Sequence, residues 1–147
     1  MKIQIESATK NDFDEIVEVW EASVRATHHF LAESDIEFFK PLIRNEFLKT
    51  VDLYCIRNNK QKIQGFLGVT EGKIEMLFLH PTAFGKGLGR KLLLFAVEKI
   101  GAKKLDVNED NPQAVGFYHH MGFITVSRSP LDSLGKPFPI LHLELAE

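Results

Sequence analysis

Three glycines alternate at Gly85, Gly87 and Gly89, between an apolar run that ends Met76-Leu77-Phe78-Leu79-His80-Pro81 and an amphipathic run that opens Leu88-Gly89-Arg90-Lys91-Leu92-Leu93. A strand therefore leads into a glycine loop, and the loop leads into a helix. Glycine lets main-chain N–H groups come close to a ligand, and a helix N-terminus adds partial positive charge, so such a loop favours phosphate. Lys86, Arg90 and Lys91 reinforce that sign. The alternative reading of the same residues is a glycine-rich turn without a ligand. Two familiar phosphate loops do not fit. The nucleoside-triphosphate loop needs Gly-Lys followed by Ser or Thr, whereas Lys86 is followed by Gly87. The dinucleotide fingerprint, Gly-x-Gly-x-x-Gly or Ala, would have to end on Arg90 or on Leu92. Asp106 does lie ~20 residues on, as that fingerprint asks, but too little chain follows to complete a dinucleotide-binding sheet.

With 147 residues the chain is expected to form one domain, 1–147, around one core. Its 44% hydrophobic and 26% charged residues are those of an ordinary globular protein, and twelve Phe suggest an aromatic-rich core or pocket wall. A net charge of −2 gives no support for a nucleic-acid partner. The one cysteine, Cys55, excludes an internal disulfide and, within Leu53-Tyr54-Cys55-Ile56, reads as a buried thiol. None of the six His has a spacing partner that suggests a metal site, so no metal is expected. No secretory leader is read, and no apolar run approaches the ~20 residues of a membrane span, so the expectation is a cytoplasmic protein without a membrane partner.

Periodicity divides the chain into elements. Residues 2–7 alternate, with Ile3 and Ile5 on one face, and read as a strand. Thr9 and Asp12 form a capping-box-like pair ahead of a helix carrying Phe13, Ile16, Val17, Trp20 and Val24. Ser34 and Glu37 frame a second helix start, which Phe39, Ile43 and Phe47 continue and which Pro41 is expected to kink or divide. Residues 53–57, 63–70 (interrupted by Gly65 and Gly68) and 73–79 read as strands. Their connections, Asn58-Asn59-Lys60 and Glu71-Gly72, are too short for crossovers, so the three form an antiparallel meander. A helix from about Leu88 to Ile100 closes on Gly101. Leu105 and Val107 mark a strand, and Asn111-Pro112 opens a helix that ends at Gly122. Residues 123–129 and 140–145 are the last strands. Strand, helix, strand, helix, strand over 73–129 implies right-handed crossovers and a parallel segment. The fold class is α/β, a mixed sheet with helices on both faces.

Two stretches resemble motifs of the GNAT superfamily of acyl-CoA N-acyltransferases. The family's pyrophosphate motif is usually Arg or Gln, two residues, Gly, one residue, then Gly or Ala. Gly87 and Gly89 match its glycines, while Phe84 stands at the Arg or Gln position and departs from the pattern. Farther on, Asn111, Ala114, Phe117, Tyr118, Gly122 and Phe123 match the family's Asn, its Ala three residues later, its Phe-Tyr pair and its Gly-Phe. The order of elements agrees over essentially the whole chain. Thr27-His28-His29-Phe30-Leu31 and Gly135-Lys136-Pro137-Phe138-Pro139 resemble a YjaB-like bacterial subgroup, a narrower likeness that fixes no substrate.

The resemblance implies the GNAT fold, a mixed and largely antiparallel sheet of about seven strands with helices on both faces. It implies an N-acetyltransferase that passes the acetyl group of acetyl-CoA to a primary amine by direct attack in a ternary complex. The amine belongs to a small molecule or to a protein. A non-catalytic acyl-CoA binder or sensor with the same fold is the second reading. On this likeness the main chain of Leu77, Phe78 and Leu79 pairs with the pantetheine arm like an added strand. Phe84, Gly85, Lys86, Gly87, Leu88, Gly89 and Arg90 surround the pyrophosphate, and Asn111, Ala114 and Phe117 complete the CoA site. With Phe84 in the motif one side-chain anchor is lost and the backbone amides remain. Tyr118 is the expected acid for the departing thiol, since a phenol of pKa ~10 keeps its proton at neutral pH. Its alternative is a core tyrosine in the stripe of Ala114, Phe117 and Met121. Glu75 is the expected base, its carboxyl raised if the apolar strand buries it; its alternative is a solvated place two residues after Lys73. His28, His29 and Phe30 follow the first helix, in the segment that lines the acceptor side in this family; the alternative for the two histidines is a place on a surface loop. His80, beside the loop, is a further candidate for CoA contact, His119 and His120 read as solvated, and Trp20 reads as core. The final strands leave room for a homodimer.

Overall fold

The computed structural model describes residues 4–146. The first strand among the described residues is β1 (Ile5–Ser7); Lys2 and Ile3 of the expected strand lie outside them. Two helices follow, α1 (Phe13–Thr27) and α2 (Glu33–Asn45), and then the meander β2 (Asp52–Arg57), β3 (Ile63–Thr70) and β4 (Lys73–Leu79). Helix α3 (Leu88–Phe95) runs into a π-helical turn, Ala96–Ile100, that stops at left-handed Gly101. Strand β5 (Lys104–Asn108), helix α4 (Pro112–His120), β6 (Phe123–Ser129) and β7 (Ile140–Leu145) complete the chain.

The seven strands form one sheet in the order β1-β2-β3-β4-β5-β7-β6. Every neighbouring pair is antiparallel except β4 and β5. The crossover through α3 thus gives the expected parallel pair. The crossover through α4 does not give a second, because β7 returns between β5 and β6 and bonds to both along its length. Alternation of strand and helix fixes strand direction but not which strand becomes the neighbour. Helices cover both faces. Phe13, Ile16, Val17, Trp20 and Val24 of α1 pack with Ile36 and Ile43 of α2 on Cys55, Phe66 and Met76. Leu92, Leu93 and Ala96 pack on the other face against Leu67, Val69, Ile74, Leu105, Val107 and Leu143. Full burial of a side chain of this size stabilises by roughly 1.5–3 kcal/mol, so the two layers hold the sheet from both sides. Trp20 is core, and burial pushes the Cys55 thiol up to about 11.

Local chemistry explains the element ends. Thr9 Oγ1 accepts from the Asn11 N–H at 3.3 Å, and the Asp12 carboxylate accepts from the Thr9 N–H at 2.9 Å. Helix α2 begins one residue before the expected Ser34 cap. Its reciprocal bond is made by Asp35, whose carboxylate accepts from the Ala32 N–H at 2.8 Å. Pro41 neither divides nor ends α2; it lies on the exposed side, where solvent can meet the carbonyl that proline leaves unbonded. Gly65 and Gly68 do not interrupt β3 either. They admit close neighbours: a Cβ at Gly65 would fall 2.5 Å from Leu79 Cδ2, and one at Gly68 2.9 Å from Val51 Cγ2. Glu71 and Gly72, with φ of 49° and 78°, make the two-residue hairpin turn that this connection requires.

The feature that positions the site lies in β4. Val69 pairs with Ile74 and Gly68 with Met76, so Glu75 is an extra residue bulged out of the ladder. On its other edge β4 pairs with β5 only at Lys73 with Lys104 and Ile74 with Leu105. Beyond Glu75 the two parallel strands part, and the β4 edge from Met76 to Leu79 is free of β5. No helix among the described residues is long and apolar enough to cross a membrane.

Candidate active site

The parting strands open into a cavity of about 830 Å³ that reaches from the glycine loop, past Tyr118, to the end of α1. At the loop end, His80 Nδ1 accepts from the Thr82 N–H at 3.2 Å and caps a short turn, so His80 is a cap and does not border the cavity. Gly85 and Gly87 have φ of 75° and 79°, the left-handed region where a side chain is strained. Gly87 caps α3, and the first helical bond runs from the Lys91 N–H to Gly87 O at 3.1 Å. The N–H groups of Leu88, Gly89 and Arg90 thus have no partner within the helix. The Leu88 side chain turns inward beside Ile56 and Ala83, and Lys86 is exposed; neither lines the cavity. Phe84, 41% exposed, Gly85, Gly87, Gly89 and Arg90 do. Arg90 Nη1 donates to Met121 Sδ at 3.6 Å, which ties the loop to α4.

Helix α4 supplies the opposite wall. Asn111 is buried, and its Oδ1 accepts from the Ala114 N–H at 3.4 Å while the residue borders the cavity. Ala114, Phe117 and Tyr118 line it too. The Tyr118 ring packs on Phe117 at 5.3 Å and Phe123 at 6.2 Å. Its hydroxyl has no hydrogen-bond partner among the described residues, yet no fully covered side-chain N or O there lacks one; the hydroxyl therefore keeps open surface on the cavity. Burial holds the phenol well above the usual tyrosine range, so the proton stays on it.

Glu75, Leu77, Phe78 and Leu79 all border the cavity. Glu75 is not buried as the base argument required. Its side chain is 36% exposed and lies 3.4 Å from Lys73 Nζ, which also donates to Asp106 Oδ2 at 2.8 Å. Partial burial pulls the Lys73 ammonium down, but Asp106 and Glu75 outweigh it and hold the ammonium above its ordinary value. Asp106 carries the row onward: its Oδ1 lies 2.6 Å from His142 Nδ1, and His142 Nε2 lies 2.6 Å from Ser129 Oγ. Lys73, Asp106, His142 and Ser129 thus make one polar row across β4, β5, β7 and β6. Sequence reasoning missed it, because β7 had to be placed between β5 and β6 first. The available signal was Asp106, the outward residue between buried Leu105 and Val107.

At the far end, Ser23, Thr27, His28, Phe47, Thr50 and Val51 line the cavity. His28 is expected there and found there, 9% exposed. His29 is exposed, the surface-loop alternative, and Phe30 half-buried; neither lines the cavity. The helix ends at Thr27, so the chain turns at His28 and carries His29 outward. Phe30 is instead a bridge, 5.3 Å from the His28 ring and 5.7 Å from Phe138, and it joins residues 27–31 to 135–139. Asp132 and Ser133, just ahead of that second stretch, also reach the cavity, with no signal in the sequence to announce them. His119 and His120 are exposed.

A sheet split after one bulged residue, a glycine loop capping a helix, and a phenol open to the cleft between them are the parts of an acyltransferase. The family model for the acetyltransferase (GNAT) domain matches residues 18–136, and the chain belongs to that family, which uses acetyl-CoA. Its relatives include the peptidyl-lysine N-acetyltransferase YjaB of Escherichia coli K12, 36% identical over 143 residues that span 97% of each chain. The Salmonella typhimurium protein of that name is 34% identical over 97% of this chain and 98% of its own. The solution structure of apo YjaB from Escherichia coli superposes with a TM-score of 0.90 at 35% identity, covering 99% of both chains. The PaiA N-acetyltransferase of Thermoplasma acidophilum, solved with coenzyme A, has a TM-score of 0.74 at 21% identity over 98% of this chain and 99% of its own, a likeness of fold.

Proposed function

We propose that the chain, as one N-acetyltransferase domain over residues 1–147, transfers the acetyl group of acetyl-CoA to a primary amine, the side-chain amine of a protein lysine, by direct attack in a ternary complex. The observation that carries this reading is the split between β4 and β5, with the loop amides at one end and carboxylates at the other. The free β4 edge from Leu77 to Leu79 suits an extended amide-bearing arm, and the N–H groups of Leu88, Gly89 and Arg90 suit a pyrophosphate. Asn111, Ala114 and Phe117 close the same channel. Acetyl-CoA would supply the acetyl group as an activated thioester.

The chain's own residues handle two protons. A lysine ammonium of pKa ~10.4 is neutral in about one molecule in 2,500 at pH 7, so losing its proton costs roughly 4–5 kcal/mol. Glu75, bulged at the apex of the split, takes that proton; Lys73 beside it is shared with Asp106, so the apex holds two carboxylates and one ammonium. Glu75, Asp106 and Asp132 on one cavity suit a cationic acceptor. As nitrogen bonds to the carbonyl carbon and the C–S bond breaks, Tyr118, protonated and unpartnered among the described residues, gives its proton to the departing sulfur and regains one from the new C–N nitrogen, which leaves an amide and a free thiol. The relatives' names support lysine as the acceptor class.

Calorimetric titration with acetyl-CoA, followed by thiol release and mass spectrometry on a lysine peptide, tests the proposal. One site per chain and an acetylated peptide are expected. No binding refutes it; binding without transfer to any amine leaves the non-catalytic binder.

A further inference from the structure

A hydrogen-bond chain at the end of α1 fixes where one proton sits. Thr27 Oγ1 lies 2.8 Å from the Ser23 main-chain oxygen and 2.7 Å from His28 Nδ1. A hydroxyl has one proton, and the Ser23 carbonyl can only accept. The Thr27 proton therefore goes to Ser23 O; otherwise two lone pairs would face each other at that distance. Nδ1 must then carry hydrogen and donate to Thr27 Oγ1, which leaves Nε2 of the neutral ring as a bare lone pair. The ring is 9% exposed, and Nε2 has no partner among the described residues. Since no fully covered side-chain N or O there is without a partner, Nε2 keeps open surface, and the cavity is what the ring borders. Burial, with His29 adding a little, lowers the imidazole to about 4, so the lone pair stays available at neutral pH. The surroundings are apolar: the Phe78 ring lies 6.2 Å away at a tilt of 38°, and Phe47, Val51 and Met76 line the same space. An apolar passage with one buried lone pair fits a straight alkyl chain that ends in N–H donors.

We propose that His28 Nε2 accepts a hydrogen bond from the amine of a primary alkylamine acceptor and so places its nitrogen for acetyl transfer, with Thr27 as the positioning residue that holds the ring's tautomer. This rests on the N-acetyltransferase reading. His28 touches the substrate but takes no proton from it; that role lies with the apex carboxylates.

The test uses the full chain with ¹⁵N-labelled histidine and Nα-acetyl-lysine methylamide as the amine, with thiol release and acetyl-CoA binding measured on the same preparations. Nitrogen NMR should show His28 with a protonated Nδ1 and a bare Nε2 from pH 5.5 to 8.5, and the Nε2 signal should move when the amine saturates. Thr27→Val should raise KM for the amine roughly three- to tenfold, the scale of one ordinary hydrogen bond, with kcat and acetyl-CoA affinity little changed; Thr27→Ser should restore it. The opposite tautomer, or an Nε2 signal indifferent to an amine that is being acetylated, overturns the inference and leaves the acetyltransferase reading standing. Failure to acetylate any amine overturns both. If Thr27→Val does not fold, the wild-type spectra and Thr27→Ser decide alone.

Discussion

Acidifying the protein from pH 7.5 to 5 should destabilise it through His28, and His28→Gln should abolish that share of the loss. The folded-state value of His28 is about 4, set by burial first and by His29 second, against 6.5 for an ordinary histidine. Between those values the unfolded chain binds a proton that the folded chain refuses. Stability therefore rises with pH through the window: the contribution is fully present above 6.5 and is lost as pH falls towards 4. At 1.36 kcal/mol per pKa unit the loss is about 2 kcal/mol at pH 5 and ~3 kcal/mol near pH 4. For a chain of this length 2 kcal/mol lowers the melting midpoint by roughly 4–8 °C. Carboxylates held low in the fold, among them Asp12, Glu21, Glu33 and Glu109, add their own losses in acid, but they are common to both proteins and cancel in the difference. The measurement is thermal unfolding of wild type and His28→Gln at pH 7.5, 6 and 5. Absolute stability of the variant is immaterial; the slope against pH decides. Parallel slopes would mean that the ring is not buried neutral, and the tautomer argument would lose its basis.

Four substitutions probe the acetyl-CoA channel and one the sheet beneath it. Tyr118→Phe should lower kcat by ~10²-fold or more, while leaving the melting midpoint and acetyl-CoA affinity unchanged, because the hydroxyl has no partner among the described residues to lose; unchanged turnover removes Tyr118 from the chemistry. Gly89→Asp should act with opposite signs. Its Cβ would meet Leu79 Cδ1 at an ordinary 3.5 Å, and a carboxylate in the first helical turn stabilises by ~0.3–1 kcal/mol. Acetyl-CoA affinity should nonetheless fall roughly tenfold or more, the effect of ~1.4 kcal/mol of repulsion; intact affinity would mean that the phosphate does not lie there. Glu75→Gln should flatten the acidic limb of the pH–rate profile; if the limb persists and Asp106→Asn removes it, the base is Asp106. Gly65→Ala should cost about 1–3 kcal/mol in denaturant unfolding, since the new methyl meets Leu79 Cδ2 at 2.5 Å and Phe78 O at 3.2 Å.

The parts of this site that were legible in the sequence are those that local stereochemistry writes. Alternation and short turns set the meander, positive-φ glycines set the loop, and Asn111-Pro112 set the start of α4; each lies within a few residues of its cause. His28 was legible only as a histidine after a helix. Its burial depends on Phe30 reaching Phe138, a contact between distant parts of the chain that no local pattern encodes. The polar row through Asp106, His142 and Ser129 is likewise a product of strand order.

Glu75 shows why a correct strand can still give a wrong environment. Its neighbours are apolar, and in an unbroken strand such a run would be covered on both faces. The bulge shifts the alternation by one: Ile74 packs towards α3, Met76 packs towards α1, and the residue between them belongs to neither layer. Glu75 is therefore left at the edge, in reach of Lys73 and solvent. The same slip marks where β4 leaves β5, since pairing ends at Ile74. The β4 edge beyond the bulge is left without β5 and runs along the cavity. The residue that the alternation argument misplaces is thus the one whose misfit opens the site, and its carboxylate stands at the opening because the fold cannot cover it there.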